Sequence, residues 1–409
     1  MLYDFYQAQS VWLAPSRQFA RSAARLLEGF GQAPAAVGVR RAAAWCEAYG
    51  HAATTHERPE FGIDAVVVDG SPQLVVEEVA AATPFARLLH FRKPGLTGRP
   101  QPRVLIVAPM SGHFATLLRG TVRTMLAEHD VWITDWINAR DIALSAGRFE
   151  LEDFTDHVIH FLGLIGPGVH ALAVCQPAPA VLAAAALMAE DGHPATPRSL
   201  TLMAGPIDTR VNPTRVNELA QGHPIGWFER KMITSVPWPH AGVGRRVYPG
   251  FLQLGAFMSM NLDRHVAAQL SQFRALVRGD RDGAAAHRRF YGEYLAVMDL
   301  PGEFYLGTVR SVFQEHDLPL GTMTHRGRRV DLSAIRRTWL LTVEGELDDI
   351  CSIGQTEAAQ ELCRRLPGAR KRHHVQSGVG HYGVFNGRRW SREIYPLVRE
   401  VIERAGPAR

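Results

Sequence analysis

The chain predicts an α/β fold: a mostly parallel sheet covered by helices, with an inserted and mainly helical cap. Three observations carry this. Short, nearly all-apolar β-rich runs recur from about residue 61. Helical segments at 113–127 and 151–164 separate the later runs, and strands of this kind alternating with helices belong in a parallel sheet buried on both faces. The series then pauses from 206 to about 330 and resumes, which marks an insertion between two strands of one sheet.

Residues 2 to 30 set Leu2, Phe5, Tyr6, Phe19, Ala23, Leu26, Leu27 and Phe30 at the three- and four-residue spacing of amphipathic helices, broken at Pro15, with the apolar positions expected to pack on the main body. The strand series reads FGIDAVVVDG, LVVEEVA, LLHFRKP, RVLIVAP, DVWITDW, HALAVCQ and LTLMAGPID, then TWLLTVEGELDD and RKRHHVQSGVGHYGVF. The expected organisation is an N-terminal helical segment over 1–60, a core over 61–205 and 331–409, and a cap over 206–330. No internal repeat or low-complexity tract interrupts it.

At 409 residues and 46% hydrophobic, the chain has ample apolar content for a buried core. Its longest apolar run, Val181 to Ala189, is far short of the roughly 18 residues a membrane span needs. The N-terminus lacks a basic region followed by a hydrophobic block, so a cytoplasmic location is the expectation. The net charge of +5 rests on scattered arginines, the lysines being Lys93, Lys231 and Lys371, and without clustering it does not predict nucleic-acid binding. Cys46, Cys175, Cys351 and Cys363 lack the spacing of a zinc site or a disulfide framework, and neither a metal nor a cofactor is expected. His157 and His160 share a helix face without a third ligand, and the consecutive His373 and His374 point oppositely in a strand.

Cys175 stands between the apolar run ALAV and QPAPAVLAAAALMAE, a strand, a sharp turn and a helix with the cysteine on the turn. A nucleophile elbow usually has glycine two before and two after the nucleophile. Here those positions are Ala173 and Pro177; alanine is small, and proline is tolerated in a helix's first turn. By itself this stretch reads as readily as a buried core cysteine. Downstream, the run VEGELDD ends a strand with Gly345, Glu346, Leu347 and Asp348, and His381 sits in the glycine-flanked SGVGHYGVF. Nucleophile, acid, histidine is the chain order of α/β-hydrolases, each at a strand's C-terminal end, so Cys175, Asp348 and His381 are the expected triad. Asp349 and Asp208 are rival acids. The expected oxyanion donors are the N–H of Gln176 and that of Met110 or Ser111 in the loop after RVLIVAP, where His113 would position the loop.

Taken together, APMSGHFATLLRGTV, WITDWINARD, AVCQPAPA, LMAGPIDTRVNPT, VEGELDDICSIGQT and GVGHYGVFNGRRW resemble the intracellular poly(3-hydroxybutyrate) depolymerases with a cysteine nucleophile, over nearly the whole chain. The resemblance implies an α/β-hydrolase that acts on stored polyester at the granule surface, with Cys175 as nucleophile, Asp348 as acid and His381 as base. The partners it implies are the polyester granule and polyhydroxybutyrate chains or oligomers. Water is the expected acyl acceptor and coenzyme A the alternative. Polyester synthases share a cysteine elbow but usually in a G-x-C-x-G pattern, absent here; a noncatalytic granule protein is the other alternative. An insoluble polyester calls for an apolar path to the nucleophile, and Trp227, Phe228, Trp238, Phe251, Phe257, Met258 and Met260 crowd the insert as candidates, some for substrate and some for the cap's own core.

Overall fold

The computed structural model describes residues 2–30, 37–96, 100–260 and 262–406. Its main sheet has eight strands, numbered here in chain order: β1 (Val76–Ala82), β2 (Ala86–Arg92), β3 (Arg103–Val107), β4 (Asp130–Trp136), β5 (His170–Val174), β6 (Ser199–Met203), β7 (Trp339–Gly345) and β8 (Lys371–Gln376). The order across the sheet is β1-β2-β4-β3-β5-β6-β7-β8. Only β2 runs against its neighbours. That order and that single reversal are the α/β-hydrolase topology.

Alternation along each strand builds two cores. In β3, Leu105 and Val107 face α4 (Leu151–Ile165) and α5 (Ala178–Glu190), joining Phe154, Phe161 and Val181. Val104 and Ile106 face the other way, where α3 (Arg119–Leu126) and the C-terminal helix Tyr395–Ala405 supply Val122, Met125, Val398 and Ile402. Each such side chain contributes about 1.5–3 kcal/mol on burial. The register, Val107 beside Ala173, Val174 beside Met203 and Gly345 beside Gln376, brings the C-terminal ends of β3, β5, β6, β7 and β8 to one edge.

The run FGIDAVVVDG does not join this sheet; Ala65–Val68 pairs only with Ser71–Leu74, as a separate antiparallel ribbon. Between β6 and β7 lie α6 (Arg215–Gln221), α7 (Ile225–Met232), α8 (Gly250–Met260), α9 (Leu262–Arg278), α10 (Arg281–Tyr294) and α11 (Gly302–Thr308). The insert also holds strands, contrary to expectation: Thr234–Ser235, Arg246–Tyr248 and Leu300–Pro301 pair in a small sheet, and Thr324–His325 pairs with Arg328–Arg329. Segments of two or three residues are too short to show a two-residue period.

The N-terminal reading needs two corrections. Pro15 does not break the first helix, because α1 runs unbroken from Leu2 to Phe30. An interior proline costs about 3 kcal/mol, but α1 gains partners along its length, packing closely on α2 (Val37–His51) where Gly50 leaves room: a Cβ there would stand 2.6 Å from the Arg21 side chain. Nor do the apolar positions all face the body. Tyr3, Ala20 and Ala24 are buried, while Phe5, Trp12, Phe19, Leu26 and Phe30 are exposed, Trp12 by 81% and Phe19 by 76%.

Candidate active site

The strand β5 is wholly buried and ends at Val174; Cys175 follows, and its φ of +66° places a non-glycine residue in the left-handed region. Such a conformation costs an L-residue about 1–2 kcal/mol and persists only where neighbours impose it. Here they do: the Cys175 N–H donates to the Met203 carbonyl at 2.8 Å, and the Cys175 carbonyl accepts from Ala178 at 3.1 Å as α5 begins. Pro177 caps that helix without needing its missing N–H. The segment just after β6 passes close by through Gly205, where a Cβ would stand 2.2 Å from the Ala178 Cβ. The turn thus lifts the partly exposed Cys175 thiol to the sheet edge, over the start of α5.

Asp348 follows β7, and its side chain is fully occupied. Oδ1 accepts the N–H groups of Ile350 and Cys351, each at 2.9 Å, and Oδ2 stands 2.8 Å from His381 Nδ1. Both side chains are buried. Burial pushes the His381 pKa down, but the Asp348 carboxylate and the Cys175 sulfur, by charge and by hydrogen bonding to the ring, hold it well above its ordinary value. The structure therefore brings Cys175, His381 and Asp348 into one chain of contacts. The rivals lie apart from it: Asp208 is clamped by Arg210 at 2.7 and 2.8 Å, and Asp349 is exposed on the cavity rim. Cys351, near the triad, is fully buried, and burial raises its thiol well above the usual value.

At the expected oxyanion donors the structure adds a detail the sequence did not signal. The Met110 N–H donates to Gln176 Oε1 at 3.1 Å, so the Gln176 side chain fills the place an oxyanion would take on that donor. The neighbouring loop is tied to the cap, with Gly112 accepting from Met298 at 2.9 Å and buried His113 hydrogen-bonded to the Tyr294 carbonyl at 3.1 Å. Ser111 is half-buried beside Met110. His157 spends both ring nitrogens on Asp153 and Thr83. Glu344, Glu357 and His373 come together at the far side of β7, but Glu344 already accepts from three backbone N–H groups, those of Gly354, Thr356 and Glu357, which makes it an anchor for that loop.

A cavity of about 390 Å³ opens beside His381, walled by Phe257, His265, Phe290, Tyr291, Tyr294 and Tyr382 among others. Of the apolar insert residues singled out in the sequence, Phe257 alone lines it. Met258 packs beneath it against Leu254, Tyr291 and Tyr294. Phe251 stacks on Tyr6 of α1 at 3.9 Å, Trp227 stacks on His223 at 4.1 Å, and Phe228 is buried. Trp238 is exposed beside α1, where its carbonyl accepts from Gln7 at 3.3 Å, and the Met260 side chain lies outside the described residues. These residues form several packing groups and no single path. The lining tyrosines went unnoticed because they share helices with residues facing solvent; Tyr382, next to His381, was the one signal available.

A family model described as PHB de-polymerase C-terminus matches residues 204–406, a span that contains Asp348 and His381 but not Cys175. No curated relative matches the chain. Among solved structures, an α/β hydrolase, GrgF, from Penicillium sp. sh18 is 14% identical, with TM-score 0.45, covering 82% of this chain and 99% of its own. A thermophilic esterase from Thermogutta terrifontis is 15% identical, with TM-score 0.40, covering 80% and 98%. Carboxyl esterase 2 from Tuber melanosporum is 12% identical, with TM-score 0.42, covering 83% and 88%.

Proposed function

We propose, from the premise that this chain belongs to the polyhydroxybutyrate depolymerase family by its match over residues 204–406, that it is an ester hydrolase cleaving stored poly(3-hydroxybutyrate) through Cys175, His381 and Asp348. The observation that carries the reading is the strained elbow at Cys175 set against a histidine held between that sulfur and a buried carboxylate.

The steps follow from these positions. The Cys175 thiolate, paired with protonated His381, attacks an ester carbonyl and forms the C–S bond. The oxyanion takes the N–H of Gln176 and that of Met110, once the Gln176 side chain swings off the latter. Collapse breaks the C–O bond, and His381 gives its proton to the departing alkoxide, the hydroxyl end of a shortened chain. A water then attacks the thioester and His381 accepts its proton; the C–S bond breaks to restore the thiolate, and the carboxylic acid product leaves and gives up its proton to solvent. Asp348 keeps Nδ1 protonated throughout and stabilises the imidazolium. A thiol such as coenzyme A in place of water would yield a thioester product.

Action at a polymer surface is supported by α1, where Phe5, Trp12, Phe19 and Leu26 stand exposed at seven-residue intervals, two helical turns apart and so on one side. No helix among the described residues is long and apolar enough to cross a membrane. The test is incubation with amorphous poly(3-hydroxybutyrate) granules, with and without coenzyme A, and mass spectrometry of the products. Released 3-hydroxybutyrate units or oligomers support the reading, and chain growth from 3-hydroxybutyryl-coenzyme A would replace it with a synthase.

A further inference from the structure

Away from the catalytic edge, a second cavity of about 1190 Å³ lies between α1, α2, residues 52–58 and the cap helices α9 and α10. Its wall is cationic. Arg58 is taken up by Asp135 at 2.9 Å and Glu77 at 3.2 Å, and Arg288 by Glu47. Arg17, Arg21 and Arg140 also line it, with Glu57 and Asp141 as the other lining carboxylates; Arg21 donates to the Gly50 carbonyl at 2.8 Å, and Arg140 interacts with Tyr3, with the buried Asp299 and with Asp141, the last 3.6 Å from its Nε.

Polar atoms of this wall also lack hydrogen-bond partners among the described residues. They are Arg17 Nε, Arg140 Nε, His56 Nδ1, His287 Nε2 and Gln272 Oε1. Gln272 is 5% exposed and the His56 side chain 7%, the nearest charge to His56 Nδ1 being Asp299 at 3.9 Å. Buried polar groups are ordinarily paired, and here several orphans border one large space. Two are guanidinium N–H groups, which ask for an acceptor that carries negative charge; the two imidazole nitrogens donate or accept according to tautomer, and the amide oxygen asks for a donor on the same molecule.

We propose that this cavity is a binding site for a phosphate-bearing organic anion of nucleotide size. Guanidinium groups match phosphate geometry through paired N–H donors, and a dianion balances more than one of them. Tyr291 lines this cavity and the one beside His381, so the ligand sits across the α9–α10 pair from the triad and braces the N-terminal helices against the cap. The site is independent of which residue is the nucleophile.

Calorimetric titration of the full chain with adenosine 5′-monophosphate, inorganic pyrophosphate and citrate, at constant ionic strength, tests this. The expected result is saturable one-site binding of adenosine monophosphate, competition by pyrophosphate, and weakening by about tenfold or more in Arg17→Gln. Hydrolysis of a soluble ester by the unliganded variant should stay unchanged. Gln272→Leu is the second variant, and amide-exchange protection of residues 14–21, 52–58 and 269–291 by adenosine monophosphate gives a readout that needs no variant. Absence of saturable phosphate binding, citrate binding as tight as adenosine monophosphate, equal affinity in Arg17→Gln, or protection mapping elsewhere would each overturn the proposal.

Discussion

At the C-terminal edge of the sheet, Asp348 is held by two backbone N–H groups and by His381, and the backbone is bent where the thiol emerges. Along the outer face of α1, large aromatic side chains stand exposed. The first region is specified by neighbours within a few residues of strand end, turn and helix; the second is specified by whatever covers it. On the proposed function, that contrast separates a reaction centre, which must be held still before substrate arrives, from a contact surface that gains its partner only on binding.

The comparison breaks most sharply at Cys175. Cys175→Ala should abolish polymer and soluble-ester turnover, a loss of about 10³-fold or more, with the melting temperature nearly unchanged because the volume change is small. Near wild-type rates would remove the thiol from the chemistry. Asp348→Asn should follow, lowering kcat by about 10²–10⁴-fold, while Asp208→Asn and Asp349→Asn cost far less, since only the carboxylate on His381 Nδ1 sets its tautomer. A dominant loss at Asp208 would relocate the acid.

Gly205→Ala probes the elbow's support without touching substrate. With a Cβ 2.2 Å from that of Ala178, α5 must shift, and a destabilisation of about 1–3 kcal/mol with reduced kcat is expected from denaturant unfolding and initial rates. The pH dependence tests the electrostatics of the same region. The His381 pKa is raised on folding, so its contribution to stability is fully present below the unfolded value of about 6.5 and is lost as pH rises through the folded value. The stability gap between wild type and Asp348→Asn should therefore be widest below about pH 6.5 and narrow at alkaline pH; a gap that widens with pH contradicts the pairing. The smallest effect on chemistry is expected on the α1 face. Trp12→Ala with Phe19→Ala should weaken granule binding and polymer hydrolysis and spare a soluble short ester, and equal losses on both substrates would make the row structural.

The same contrast explains what was legible in the sequence. The central strands β3, β5 and β6 were readable as short apolar runs buried on both faces, whereas at the sheet's edges β1 is largely exposed and β8 is polar and only partly buried. Cys175, Asp348 and His381, which the structure brings together, were legible because they follow strand ends in a fixed order. Departures from glycine at Ala173 and Pro177 left Cys175 ambiguous locally, and the left-handed turn depends on contacts from Met203 and Gly205, which no stretch around the cysteine contains. Proline at 15 misled because the packing of α1 on α2 outweighs a local break. The apolar insert residues were visible as a group, yet which of them reach the cavity depends on helix orientation, so Phe257 lines it while Phe251, two turns earlier, stacks on Tyr6. The substitution of the Gln176 side chain for an oxyanion on Met110 was invisible, since it joins residues 66 positions apart.

The central claim is that the sulfur of Cys175 carries the acyl group. Intact-protein and peptide mass spectrometry after rapid acid quench of a reaction with a soluble 3-hydroxybutyrate ester tests it most directly. The account predicts a hydroxybutyryl adduct on the peptide holding Cys175, removable by hydroxylamine as a thioester and accumulating when His381→Gln slows its hydrolysis. An adduct on Ser111, or turnover with no adduct on Cys175 at any quench time, would contradict it.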